Sequence, residues 1–182
     1  DLSKAGKQPM INENERIWIS FNGEIYNHKA LRSKLEKKHK YKSHTDTETI
    51  LHLYEQEPKT FLQKLNGMYA LAIWDSKQKK LILARDSIGE KPLYYWFGGG
   101  KIIFASEIKA ILECMEVQRK VNKQALHDFL TLQYVPAPST MFEGIKKLEP
   151  GTMLEFKNGK AKISRLYNAL EKTIGEVSSE SL

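Results

Sequence analysis

Phe21-Asn22-Gly23-Glu24-Ile25-Tyr26-Asn27 is the stretch on which the reading of this chain turns. Before it, Arg16-Ile17-Trp18-Ile19-Ser20 is short, branched and aromatic, the make-up of a buried strand. After it, Ala30-Leu31-Arg32-Ser33-Lys34-Leu35 sets apolar residues at helical spacing. The Asn-Gly pair is therefore expected at the end of a strand, just before a helix that Asn27 caps. Gly23 lets backbone approach a ligand closely, and its N–H with the Asn22 side-chain amide makes two donors for one developing negative charge. That is what an oxyanion hole requires. Asn-Gly is equally a common hairpin dipeptide, so these two residues alone leave both readings open.

The 182 residues suffice for one domain with a sizeable core, or a domain and a tail. With 41% hydrophobic and 28% charged residues, the chain is of the globular class. No apolar run approaches the roughly 18–20 residues that cross a bilayer, and Asp1-Leu2-Ser3-Lys4 opens no signal peptide. Cys114 is the single cysteine, which excludes an internal disulfide and a multi-cysteine zinc site and points to a reducing, cytoplasmic setting. Its expected role is packing. The net charge of +7 raises nucleic-acid binding as a possibility. Its densest part, Lys34, Lys37, Lys38, Lys40 and Lys42, alternates with Leu35 and Tyr41 like the solvated face of a helix. No paired Cys/His finger or RNA-binding aromatic signature accompanies it. Neither nucleic acid nor membrane is expected as a partner.

Further along, Ser43-His44-Thr45-Asp46-Thr47-Glu48 opens a second helix, with Thr45 or Asp46 at its N-cap. Asp46 is either that cap or a carboxylate aimed at a substrate ammonium beside Asn22. Met68 to Asp75 is a nearly continuous apolar run, a strand covered on both faces, and Leu81 to Ala84 is its hairpin partner. Arg85 to Pro92 reads as a charged loop, and Leu93 to Phe97 with Lys101 to Ala105 as a hairpin across Gly98-Gly99-Gly100. Those glycines lack the spacing and the Ser or Thr of a phosphate loop. Helices follow at about 106–112 and 122–131, then the proline-stiffened Tyr134-Val135-Pro136-Ala137-Pro138 and a hairpin from Thr152 to Tyr167. Strands in consecutive hairpins with helices in separate blocks make an α+β architecture of stacked antiparallel sheets between helical layers.

Several stretches together resemble one family. Asn22-Gly23-Glu24-Ile25-Tyr26-Asn27, Asp46-Thr47-Glu48, Asn66-Gly67-Met68-Tyr69-Ala70, Arg85 to Tyr95, Phe104 to Ala110, Tyr134 to Pro138 and Leu148-Glu149-Pro150-Gly151 occur in the order found in the class II glutamine amidotransferase domain of glutamine-hydrolysing asparagine synthetases. The resemblance covers 1–167 and leaves 168–182 as a linker toward a synthetase domain absent from the chain. It implies an N-terminal-nucleophile hydrolase fold, an αββα sandwich. In that family an amino-terminal cysteine, with its own α-amine as general base, attacks the glutamine amide, and water later releases glutamate. On this chain the resemblance makes Asn22 and Gly23 the oxyanion donors. It makes Glu24 and Asp46 the partners of the substrate α-amino group.

The departures from the family pattern carry expectations too. Residue 1 is Asp1, the family's carboxylate-gripping arginine is absent, and no Ser-Gly-Gly-x-Asp-Ser loop for ATP appears. The chain is thus expected to be an internal fragment, inactive alone, with its amino-terminal part missing. No cofactor and no metal are expected in this domain, ATP and Mg2+ being implied for the absent synthetase domain. Glutamine is the expected substrate and the synthetase domain the expected partner, with self-association through exposed core as a further possibility. An amidotransferase with a different acceptor and a catalytically dead scaffold remain as alternatives.

Overall fold

The computed structural model describes residues 4–166, so Asp1-Leu2-Ser3 and the linker expected at 168–182 lie outside the described residues. Among the described residues, nine strands, all paired antiparallel, form two sheets. Strands β1 (Met10–Ile11), β2 (Ile17–Ile25), β3 (Gly67–Asp75), β4 (Lys80–Arg85), β8 (Thr152–Lys157) and β9 (Lys160–Arg165) lie side by side in that order. Strand β5 (Tyr94–Gly98) sits between β6 (Lys101–Ala105) and β7 (Ile145–Lys147) in the smaller sheet.

The period-2 pattern of β2 decides which face is covered. Ile17, Ile19, Phe21 and Ile25 are buried, whereas Trp18, Ser20, Asn22 and Glu24 are exposed. On the buried face lie α1 (His28–Leu35) and α2 (Asp46–Gln56), which contribute Leu35, Ile50, Leu51, Leu53 and Tyr54 to one cluster with Leu71 and Ile73 of β3. The alternate β3 residues, Ala70 and Ala72, join Leu83, Leu93, Tyr95 and Leu154 between the sheets. Being covered on both faces explains why β3 is apolar almost throughout. On the far side of the small sheet, α3 (Ile108–Leu112) buries Ile111 against Ile145 and Val117. Each such fully buried Leu or Ile stabilises the fold by about 1.5–3 kcal/mol. Helix α4 (Lys123–Leu132) starts where the Asn122 side chain accepts from the Gln124 and Ala125 amides, and it leaves Leu126, Phe129 and Leu130 exposed. The layer order is helix, sheet, sheet, helix, as the family resemblance implies.

Three local expectations are corrected, and two short strands are added. Asn22-Gly23 does not end a strand: β2 continues to Ile25, with the pair in register opposite Ala70 and Tyr69 of β3. Asn27 holds the N-cap position of α1, but its side chain makes no capping bond. Instead its amide donates to the Lys64 carbonyl (2.8 Å) and accepts from the Asn66 N–H (3.1 Å), tying α1 to the approach to β3. The lysine-rich stretch leaves the helix after Leu35, since α1 stops there, and Lys37 to Lys42 follow a turn. Met10–Ile11 and Ile145–Lys147 are strands that were too short to show a period.

Candidate active site

Among the described residues, β1 pairs with β2 only at Trp18 and Ile19, and no strand pairs with Phe21 to Ile25 on the side away from β3. Two amides of that edge are taken by side chains. Phe21 N–H donates to Gln8 Oε1 (2.6 Å) and Ile25 N–H to Asp46 Oδ2 (2.9 Å). Along an antiparallel strand alternate amides point the same way, so the Gly23 N–H projects from this edge between the other two. Among the described residues it has no acceptor. Asn22 precedes Gly23 on β2 and is exposed on the face opposite α1 and α2. Glu24 is exposed on the same face as Asn22.

Glycine is required here by a close approach of two backbones. A Cβ at Gly23 would strike the Met68 carbonyl oxygen and come within 2.8 Å of Tyr69 Cα. A Cβ at Gly67 would strike the Glu24 carbonyl oxygen and come within 2.9 Å of Ile25 Cα. The two glycines let the ends of β2 and β3 run together, which keeps the strand extended through Ile25 and fixes where the edge amides point.

The N-cap of α2 is not Asp46 but its neighbour. Thr45 is the N-cap of α2, its Oγ1 accepting from the Glu48 N–H (3.2 Å). Asp46, one residue on, turns one oxygen to the Thr47 amide (2.8 Å) and the other to Ile25. It is half-buried, and a carboxylate with about four lone-pair sites and two occupied can accept two more donors. The positive end of α2 favours its charge. The Gly23 N–H and the Asp46 carboxylate thus lie along one strand edge, Asp46 on the Ile25 amide two positions beyond Gly23.

Behind that edge lies a structure that sequence reasoning took for an ordinary charged loop. Asp86 is almost wholly buried and accepts from five backbone amides: Ile88, Gly89 and Glu90 on one oxygen, and Tyr69 and Lys91 on the other. Its own N–H donates to the Tyr69 carbonyl (2.8 Å). Burial pushes the Asp86 carboxyl up, but these amides outweigh it and lower its pKa. Arg85 binds the carbonyls of Lys91 (2.6 Å), Leu148 (2.8 Å) and Gly89 and closes the loop from the other side. Tyr69 is the cross-strand neighbour of Gly23, so the loop anchors the strand beside Gly23. The signal was an Asp directly after a strand and ahead of a Gly- and Pro-bearing turn.

Other candidates fall away. Cys114 packs half-buried with Ile111 and Val117 on the outer side of the small sheet, a separate cluster from the Asn22–Asp46 edge. Gly98-Gly99-Gly100 turns the β5–β6 hairpin, and Lys101 pairs with Glu116 (2.5 Å), so these residues do not fit a nucleotide phosphate.

The profile of the glutamine amidotransferase domain family matches residues 1–167. The chain belongs to that family. It is 39% identical over 153 residues to asparagine synthetase [glutamine-hydrolyzing] 1 of Bacillus subtilis, covering 84% of this chain and 24% of that protein. A putative asparagine synthetase [glutamine-hydrolyzing] 2 of Methanocaldococcus jannaschii is 35% identical over 92% of this chain and 35% of its own length. The chain therefore spans about a quarter to a third of the curated relatives it matches. A solved glutamine phosphoribosylpyrophosphate amidotransferase from B. subtilis superposes with a TM-score of 0.64 at 22% identity, over 92% of this chain and 33% of that one. That likeness establishes the amidotransferase domain's N-terminal-nucleophile type of fold, two antiparallel sheets with helices outside.

Proposed function

We propose that this amidotransferase domain binds glutamine at the β2 edge and serves a glutamine-hydrolysing asparagine synthetase, whose ammonia goes to the ATP-dependent amidation of aspartate. One observation carries the reading: among the described residues the Gly23 N–H has no acceptor and lies between two edge amides that both have one, Asp46 holding the amide two positions along β2. In this proposal Gly23 N–H and the Asn22 amide stabilise the tetrahedral oxyanion of the attacked side-chain amide. Asp46 and, secondarily, Glu24 hold the substrate α-ammonium. Losing one oxyanion donor costs about 2.7–4 kcal/mol of transition-state stabilisation, or 10²–10³ in rate.

ATP and Mg2+ would act on the synthetase part of the polypeptide and not on residues described here. The exposed apolar side of α4, with Leu126, Phe129 and Leu130 beside Tyr134, supports a contact with that part, since most of the relatives' length lies outside the matched region. No helix among the described residues is long and apolar enough to cross a membrane, and the unpaired thiol of Cys114 is in keeping with the proposed cytoplasmic location. Because Cys114 is remote in packing from the Asn22–Asp46 edge, the 182-residue chain alone is expected to show no glutaminase activity. Thiol-dependent glutamine turnover by the purified chain would overturn that expectation. In the complete polypeptide that contains this chain, Asn22→Ala should lower kcat for glutamine hydrolysis about 10²–10³-fold and leave ammonia-dependent amidation intact. Equal loss of both activities would point to misfolding and sink the assignment.

A further inference from the structure

Away from the glutamine edge, four side chains from three parts of the chain converge on one point. Glu13 lies in the turn between β1 and β2, His39 in the segment after α1, and His52 and Glu55 on α2. One ligand atom of each lies within 4.8 Å of every other. Glu55 Oε2 is 3.0 Å from His52 Nδ1 and 3.6 Å from His39 Nδ1; Glu13 Oε2 is 3.8 Å from His39 Nδ1 and 4.0 Å from His52 Nδ1. Donors about 2.0–2.1 Å from a tetrahedral ion stand roughly 3.4 Å apart, so these edges bracket the required size.

The surroundings are arranged as a metal site requires. Each carboxylate turns Oε2 inward while its Oε1 is held from outside, Glu55 by the Asn12 side-chain amide (2.6 Å) and Glu13 by the Lys40 N–H (2.8 Å). Asn12 is itself fixed, its oxygen accepting from the Arg16 and Ile17 amides (2.9 and 3.0 Å). His52 is fully buried, and its Nε2 has no hydrogen-bond partner but faces Glu48 Oε1 at 3.7 Å. Glu48 is locked in turn by the Lys42 amide (2.7 Å), the Ser43 amide (2.7 Å) and the Ser43 hydroxyl (2.5 Å). A carboxylate behind the far nitrogen of a histidine orients the ring and selects the tautomer that offers Nδ1 as a ligand. The His39 and His52 rings stack at 4.4 Å, which presents both Nδ1 atoms to the same point.

We propose that Glu13, His39, His52 and Glu55 bind one divalent transition ion of the zinc type. Two imidazoles and two carboxylates suit such an ion and not Mg2+, which takes oxygen ligands in an octahedron. Four protein donors leave no open position, so the ion is structural: it pins the β1–β2 turn and the segment after α1 to α2. The sequence reading named no metal ligand because positions 13, 39, 52 and 55 follow no ligand-spacing motif.

The test uses the 182-residue chain freed of metal and titrated with Zn2+ and with Co2+, with Mg2+ as competitor. One Zn2+ per chain should bind with micromolar or tighter affinity and raise Tm, Mg2+ should not compete, and Co2+ should give the intense visible bands of a tetrahedral centre. Glu13→Gln and His39→Gln, on the two less buried ligands, should each weaken Zn2+ at least tenfold while the apo chains keep the wild-type far-ultraviolet circular dichroism. Absence of stoichiometric binding, an octahedral Co2+ spectrum, or unchanged affinity in both variants would overturn the proposal.

Discussion

Asp46 and Asp86 are both aspartates that collect backbone amides next to a strand, yet they are built for different work. Asp86 is 1% exposed and accepts five N–H groups, so every lone-pair direction is spent on the protein itself. Asp46 accepts two, stays half-exposed, and keeps capacity toward an open strand edge. Filled valence marks a structural carboxylate, and spare valence at an edge marks one able to take a ligand. The two are linked through the strand pair: Asp86 anchors Tyr69, Tyr69 faces Gly23, and Asp46 holds Ile25.

The largest expected effect is on the filled site. Asp86→Asn replaces an anion by an amide whose NH2 would meet backbone donors, and it should destabilise the chain by about 2–4 kcal/mol in urea unfolding at neutral pH. A loss below about 1 kcal/mol would mean the five bonds are not carrying the loop. Next, Gly23→Ala forces the β2 and β3 backbones apart and should cost about 1–3 kcal/mol, with loss of glutamine hydrolysis in the complete polypeptide. If Gly23→Ala is neutral for both, the close approach does not constrain the edge. Asp46→Asn should change stability least, by less than about 1 kcal/mol, because one amide oxygen still accepts from Ile25.

Acid sharpens the same contrast. The folded pKa of Asp86 is lowered, so the stability it contributes is present above its unfolded value of 3.8 and is lost as pH falls from there through the folded value. The gap in Tm between wild type and Asp86→Asn should therefore be widest near neutrality and shrink once the pH drops below about 3.8. A gap that stays constant to pH 2.5 would show that the charge is not what the five amides stabilise.

Much of this was legible in the residues because periodicity and turn chemistry are local. The β3–β4 and β5–β6 hairpins and the helix at about 122–131 followed from apolar runs, polar connections and helical spacing. The strand pattern before Asn22-Gly23 and the helical spacing after it suggest a strand end; the close approach at Gly67, opposite Ile25, that keeps β2 extended lies more than forty positions away. Asp46 could not be told from a cap until Thr45 was seen to fill that role. The Asp86 loop and the Glu13–His39–His52–Glu55 cluster depend on contacts between distant segments, which no spacing rule records.

The most direct test of the account is the glutamine dependence of Asp46→Asn in the complete polypeptide, measured beside its ammonia-dependent amidation. Loss of a charged partner for the substrate ammonium should raise KM for glutamine about 10- to 100-fold, with kcat reduced less and the ammonia-dependent rate unchanged. An unchanged KM for glutamine would show that Asp46 serves only the protein, as Asp86 does, and would contradict the assignment of the β2 edge as the glutamine site.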